Sequence, residues 1–355
     1  MSTIRDVAER AGVSTMTVSR VINKSGYISQ ETRERVDAAI AELGYVPNTL
    51  ARSLRFKQTK TLACVLTDIT NPFFTTIARG VGDAASAQGF NVIFCNTDES
   101  ESEQAEQLTA LVQKRVDGVL LVPAASSEDA VAFLREQHVP VVILDRRVPD
   151  CSVDSVRCDS EEGAYELVRL LLTLGHRHIA ALSGPAMVST AQDRVAGYCR
   201  ALAEAGVAMQ QDLINFGSFT QAGGHQAARQ MLALIPRPTA LFAANNFIAA
   251  GAYQAAREAG LDVPKDVSIV TFDDLPAWLL MEPFMTVAAQ PAYEIGRAAT
   301  ELLLKRLAGE NLAGCQELVM PFEIIVRRSS GPPPAADATP AGMAIFVRRT
   351  EAAEV

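Results

Sequence analysis

No apolar run in this chain is long enough to span a bilayer, which removes the integral membrane classes. The start, MSTIRDVAER, is amphipathic and charged rather than signal-like, so a cytoplasmic protein is expected. The six cysteines, Cys64, Cys95, Cys151, Cys158, Cys199 and Cys315, form no CxxC pair, and several sit in apolar strand-like runs. That pattern predicts reduced core thiols, not a disulfide or metal framework. The four histidines, His138, His176, His178 and His225, lack the spacing of a metal site. There is no GxxxxGK[ST] loop, no GxGxxG fingerprint and no GxSxG elbow; Gly184-Pro185 after a strand-like run is the nearest approach to a phosphate loop. No cofactor and no enzymatic activity are therefore expected. Leucine heptads are missing from the C-terminal end, so no tetramer-forming tail is predicted.

What is present is uneven. The 355 residues carry a net charge of -9, but residues 1–60 hold ten Lys and Arg against six Asp and Glu, a net of +4. The remainder holds 22 against 35, a net of -13. A basic head on an acidic body directs a polyanion to one end.

The head reads as a helix-turn-helix. In TIRDVAERAGVSTMTVSRVINKSG (residues 3–26), Ile4, Val7, Ala8 and Ala11 fall on one helical face. Gly12-Val13 makes the turn. Ser14 is placed to cap a second helix whose inner side carries Val18, Val21 and Ile22. A third helix starts at the cap Ser29, with Glu31 at the positive end of the dipole and a stripe of Val36, Ala39, Ile40 and Leu43. Gly44 stops it. The short segment Asn48–Arg55 is too short to be a stable helix alone.

From Lys60 onward, strand-like runs alternate with helical stretches. The runs begin at Thr61, Asn91, Gly118, Val141, His178, Thr239 and Val267; the helices include 74–88, 103–114, 161–174, 194–205, 223–234 and 249–259. The alternation predicts an α/β protein with two doubly wound parallel sheets, divided near Val156–Asp159, with segments at 288–291 and 319–322 crossing back. Residues 329–355, rich in Pro, Ala and Gly, read as a disordered tail. The expected domains are 1–47 (head), 48–59 (hinge and linker), 60–328 (two-lobed core) and 329–355.

The motifs AERAGVS, TVSRV, YVPN and ARSL occur in order, and with them the chain resembles the LacI/GalR family of bacterial transcription regulators over residues 3–328. The resemblance implies a periplasmic-binding-protein-like core, a homodimer, a near-palindromic operator in double-stranded DNA, and repression controlled by a small molecule between the lobes. It implies base reading by Thr15, Met16 and Arg20. Ser14, Thr17 and Asn23 are better suited to phosphates, with Tyr27 able to reach either. It further implies a hinge helix from Asn48 to Arg55, with Ala51 and Leu54 entering the minor groove and Leu54 as the wedge.

Polar and aromatic residues at strand ends are the candidate effector set. Asn71, Phe73, Phe74, Asp145, Arg146, Arg194, Phe219, Asn245, Asp273 and Gln290 also resemble, one for one, the sugar site of bacterial ribose-binding protein. Carboxylates accept from vicinal hydroxyls, Arg, Asn and Gln donate, and aromatic faces pack on a sugar ring. Two Asp and two Arg are neutral together, which favours a neutral polyol over a phosphate or a purine; the resemblance puts ribose first. Each residue also has a plainer role: helix caps at Asp145, Asn245 and Asp273, an Arg194–Asp193 surface pair, and core packing for Phe73 and Phe74. The rivals are a nucleoside, a nucleobase or another sugar as effector, or a sugar-binding protein without regulation. Two departures stand out. Asn246 replaces the Asp usual in the family, and Asp274 adds a charge beside Asp273.

Overall fold

The computed structural model describes residues 2–23, 25–46, 58–125, 128–149, 153–274, 283–310 and 312–334. It separates into two compact units, one up to Thr59 and one from Lys60.

The first unit holds α1 (Ile4–Ala11), α2 (Thr15–Ile22) and α3 (Gln30–Leu43). Each start is chemically marked. Thr3 and Asp6 form a reciprocal capping box on α1, Ser14 accepts from the Thr17 N–H at 3.1 Å, and Ser29 accepts from the Thr32 N–H at 3.3 Å. Gly12 and Gly44 end α1 and α3 in the left-handed conformation, at φ +64° and +56°, where a side chain would be strained. Between the helices, Val7, Ala8, Ala11, Val18, Val21, Val36 and Ala39 are buried. The expected hinge residues Asn48, Ala51 and Leu54 lie outside the described residues.

The second unit has two six-stranded sheets. The first is ordered β11-β5-β4-β3-β1-β2, from Glu317–Met320, Asp154–Cys158, Val141–Leu144, Gly118–Leu121, Thr61–Leu66 and Asn91–Asn96, and every neighbouring pair is parallel. The second is ordered β12-β10-β9-β8-β6-β7, from Glu323–Ile325, Thr286–Ala289, Ser268–Phe272, Ala240–Ala243, Ile179–Ser183 and Ile214–Phe216. Among the described strands only β12 runs antiparallel to its neighbour. The central strands β3, β4, β6, β8 and β9 are buried along their whole length, as strands covered on both faces must be. The chain passes between lobes three times: after Cys158, after Ala289 and after Met320.

In the first lobe the helices Pro72–Ala87 and Ala292–Leu307 cross backbone to backbone. A Cβ on Gly80 would lie 2.1 Å from the Tyr293 carbonyl oxygen, and one on Gly296 would lie 2.1 Å from that of Ile77. This contact anchors the returning helix to the sheet it left.

The tail expected from Ser329 does not begin there. Ser329 is fully buried, donates its N–H to Phe284 O at 3.1 Å and its hydroxyl to Ile269 O at 2.6 Å. Its carbonyl accepts from Ile269 N–H, and Gly331 O is bonded to His176 Nε2. Composition concealed this because two serines and a glycine carry no apolar signal; Ser329 bonds to the Ile269 backbone and Gly331 to the Ser268 hydroxyl, some 60 residues earlier.

Candidate functional site

On the head, α2 turns Val18 and Val21 inward and leaves Thr15, Met16 and Arg20 exposed. Met16 is 64% exposed, so it is not core packing. Tyr27 is also exposed, in the loop before α3. Ser14 and Thr17 share hydrogen bonds at the start of α2. Asn23 closes the end of α2. Its amide donates back to Ser19 O at 2.7 Å and Oγ at 3.2 Å, and its Oδ1 is buried with no hydrogen-bond partner among the described residues. It serves the end of the helix.

In the body, the C-terminal ends of the strands of both sheets converge on a cavity of about 240 Å³. Asp145 and Asp273 occupy matching places in the two lobes. Each directly follows a central strand, β4 or β9, and each has a left-handed backbone, φ +64° and +66°. Each N–H still donates to the neighbouring strand, to Val156 O at 3.0 Å and Ala288 O at 3.1 Å. The strand thus ends in a turn that delivers a carboxylate to the cavity wall. Among the described residues neither Asp caps a helix.

Asn71 and Asn245 do serve as caps. Asn71 Oδ1 accepts from Phe73 N–H at 3.0 Å and Asn245 Oδ1 from Ile248 N–H at 2.8 Å. Their amide nitrogens remain for other work. Asn245 donates to Phe219 O at 3.3 Å, and Asn71 donates to Asn246 Oδ1 at 3.1 Å in the opposite lobe. Asn246, the departure noted in the sequence, is therefore an interlobe contact.

Arg194 is buried and donates to Ala244 O at 2.5 Å, with Asp273 Oδ2 at 4.0 Å and the Phe272 ring 4.0 Å beneath its guanidinium. It is not paired with Asp193, which binds Arg147. Arg146 is equally buried and is chelated by Glu99, with Nη1 to Oε2 at 2.7 Å and Nη2 to Oε1 at 2.5 Å. Phe73 and Phe74 meet edge to face, line the cavity and also belong to the core. Across from them the Phe219 ring sits on Gly184, where a Cβ would come within 2.3 Å of it. Gly184, the weak phosphate-loop candidate, is the seat of an aromatic wall.

Nine of the ten candidate residues line the cavity; Gln290 stands behind it, donating to Asp273 Oδ1 at 2.6 Å. Thr67, Asp68, Asp98, Glu99, Pro185, Thr190, Ser218 and Thr220 line it as well and were not singled out from the sequence. Asp98 and Glu99 follow β2, so the strand-end rule that found Asp145 applies to them. Asp274 is accounted for by a bidentate pair with Arg327, both contacts at 2.6 Å.

Burial pushes the Asp273 carboxyl up to about 6, with Arg194 pulling it back. Burial likewise raises that of Asp145 against the pull of Arg194 and Arg146. Thr67 Oγ1, Asp145 Oδ1, Arg146 Nε, Arg194 Nε and Gln290 Oε1 are buried with no hydrogen-bond partner among the described residues. Buried polar atoms are nearly always paired, so these five, four of them on residues that line the cavity, mark a place built for a polar guest.

The model for bacterial regulatory proteins of the lacI family matches residues 3–48. That for periplasmic binding proteins and the sugar binding domain of the LacI family matches residues 59–322. The chain belongs to the LacI family. The HTH-type transcriptional repressor PurR of Photobacterium profundum is 35% identical over 93% of this chain and 98% of its own. Among solved structures, the CelR–cellobiose complex is 35% identical with a TM-score of 0.71, covering 93% of this chain and 100% of that one. The lac repressor dimer bound to operator and the anti-inducer ONPF is 30% identical with a TM-score of 0.82, covering 93% and 99%. A LacI family regulator from Enterococcus faecium with bound ribose is 32% identical with a TM-score of 0.69, covering 77% and 99%. This LacI-family member is a DNA-binding transcriptional repressor, and its relatives are regulators, not enzymes. Among the described residues no helix is long and apolar enough to cross a membrane.

Proposed function

We propose that this repressor is governed by a small neutral sugar, ribose first, bound between the two lobes. It acts as a homodimer on a near-palindromic operator read by Thr15, Met16 and Arg20. The observation that carries the effector reading is the set of unpartnered buried polar atoms around an aromatic-walled cavity. Asp145 Oδ1 accepts from a hydroxyl, Arg146 Nε and Arg194 Nε donate to ring or hydroxyl oxygens, and Phe73, Phe74 and Phe219 pack on the C–H faces. The ligand touches both lobes, so binding changes the free energy of their closure and, through the hinge, of operator binding. Cellobiose and ribose in two structural relatives support a sugar.

A purine is the second reading, favoured by the similarity to PurR. It asks for stacking, and the cavity supplies three phenylalanines. It leaves the carboxylates of Asp145 and Asp273 with fewer hydroxyl donors.

A thermal-shift panel of ribose, other neutral pentoses and hexoses, cellobiose, hypoxanthine and guanine separates the two. A ligand at about 100 times its Kd adds roughly 2.7 kcal/mol to the native state, a shift of several degrees at this size. A shift with a sugar alone supports the proposal. A shift with a purine alone replaces it.

A further inference from the structure

We propose that Glu99 is a built-in counter-anion that makes the cleft refuse phosphorylated and carboxylated sugars, so that the repressor answers only to the uncharged sugar. The inference rests on the cleft being the effector site.

Arg146 is the guanidinium of the first lobe at the cavity, and its two terminal nitrogens form the fork that a phosphate or carboxylate grips. That fork is already filled. Glu99 takes both prongs, and Nη1 also donates to Pro123 O at 2.6 Å and Ala124 O at 3.1 Å. The Nε edge is left, and there Asp145 Oδ2 already stands 4.0 Å from Nε, so an anion approaching that edge meets a carboxylate in place. Arg194, the other guanidinium on the cavity, holds the Ala244 carbonyl and stands 4.0 Å from Asp273.

The rest of the lining reinforces this. Asp68, Asp98, Glu99, Asp145 and Asp273 face two arginines, Arg146 and Arg194. An incoming anion meets a net negative wall. Asp98 and Glu99 are held there by two successive left-handed residues, φ +48° and +58°, with Asp98 Oδ1 accepting from Asn96 at 2.6 Å. Glu99 side-chain exposure is 25% against 2% for Arg146, so the acid is the more open partner of the pair.

The test titrates ribose, ribose 5-phosphate and inorganic phosphate into the wild-type protein and the Glu99→Gln variant by calorimetry. In the wild type, the phosphosugar binds weaker than the neutral sugar by on the order of 100-fold, because like charges oppose it. In Glu99→Gln the ratio of phosphosugar to neutral-sugar affinity rises by about tenfold or more, the equivalent of one lost charge contact. Inorganic phosphate then protects the variant thermally more than the wild type, and a further Arg146→Gln change abolishes that gain. A merely structural Glu99 would alter stability without altering this charge preference. Glu99→Asn, also uncharged and tolerant of the left-handed backbone at this position, gives the same direction if Glu99→Gln does not fold. Wild type binding ribose 5-phosphate as tightly as ribose overturns the inference, as does an unchanged ratio in both variants. If no sugar binds at all, the sugar reading fails, and the inorganic phosphate arm still decides the role of Glu99.

Discussion

Asn71 and Asn246 hold each other across the cleft, each Nδ2 donating to the other's Oδ1, at 3.1 and 3.0 Å, with both side chains buried. Asn71 belongs to the first lobe and caps the Pro72–Ala87 helix; Asn246 opens the Asn246–Glu258 helix of the second. The pair is an uncharged clasp between lobes, so its strength does not titrate. With Asp at 246 one of its two bonds would have no donor.

Removing half of the clasp tests its weight. Asn246→Ala leaves the Asn71 amide buried without its partner, a loss of about 1–3 kcal/mol. The expected outcome is a lower Tm without effector and a larger radius of gyration in solution scattering as the lobes part. An unchanged radius with an unchanged Tm would mean that other contacts hold the lobes.

Asp273 links the site to pH. Its carboxyl is raised to about 6 from 3.8, so between those values the folded protein keeps a proton that the unfolded chain has lost. Stability from this group is therefore present at acidic pH and lost as pH rises through about 6. At pH 7 the buried charge costs about 3 kcal/mol at most. Asp273→Asn tolerates the left-handed backbone and keeps the bond from Gln290, so the unliganded variant should melt several degrees above the wild type at pH 7. The difference should vanish near pH 4. Sugar affinity of the wild type should fall as pH drops below about 6, where the acceptor is protonated. A pH-independent difference in Tm would place the effect in packing instead.

The head was legible because each helix carries its own start and stop: Thr3 with Asp6, Ser14 and Ser29 at the caps, Gly12 and Gly44 at the ends. The strand-end candidates were legible for a similar local reason, an apolar run stopping at a polar residue. What was missed is non-local. Strand β5 contains Asp154 and Arg157, whose partners Arg306 and Glu317 lie some 150 residues on, so its charges read as a boundary between lobes. Glu99 looks like any loop acid until Arg146 is beside it. Asn246 was visible as a departure, but its partner is 175 residues away.

Gly184 sets the position of Phe219. A methyl group there would overlap the ring at 2.3 Å, and such overpacking costs about 1–3 kcal/mol. Gly184→Ala should lower Tm and weaken the sugar by about tenfold. Phe219→Leu frees the space, so the double variant should recover stability relative to Gly184→Ala alone. Additive losses would show that Gly184 is needed for its own backbone and not as a seat for the ring.

Arg20 is the residue proposed to set what the head reads. It is exposed on α2 with Thr15 and Met16, and its Cδ lies 3.8 Å from where a Cβ on Gly26 would be, so its stem rests on the loop after α2. A guanidinium so supported presents a fork to the two acceptors of guanine; Met16 offers no hydrogen bond and suits a thymine methyl. If Arg20 reads a base, Arg20→Ala should cost about 1–3 kcal/mol on the operator and far less on unrelated DNA. Arg20→Lys keeps the charge and loses the planar fork, so it should restore nonspecific binding without restoring discrimination. If Arg20 holds a phosphate, Lys should rescue both affinities together. Removing the side chain should then lower the slope of log affinity against log salt by about one on every sequence. Gel-shift titrations of the three proteins on operator and random duplex, each at two salt concentrations, separate the outcomes.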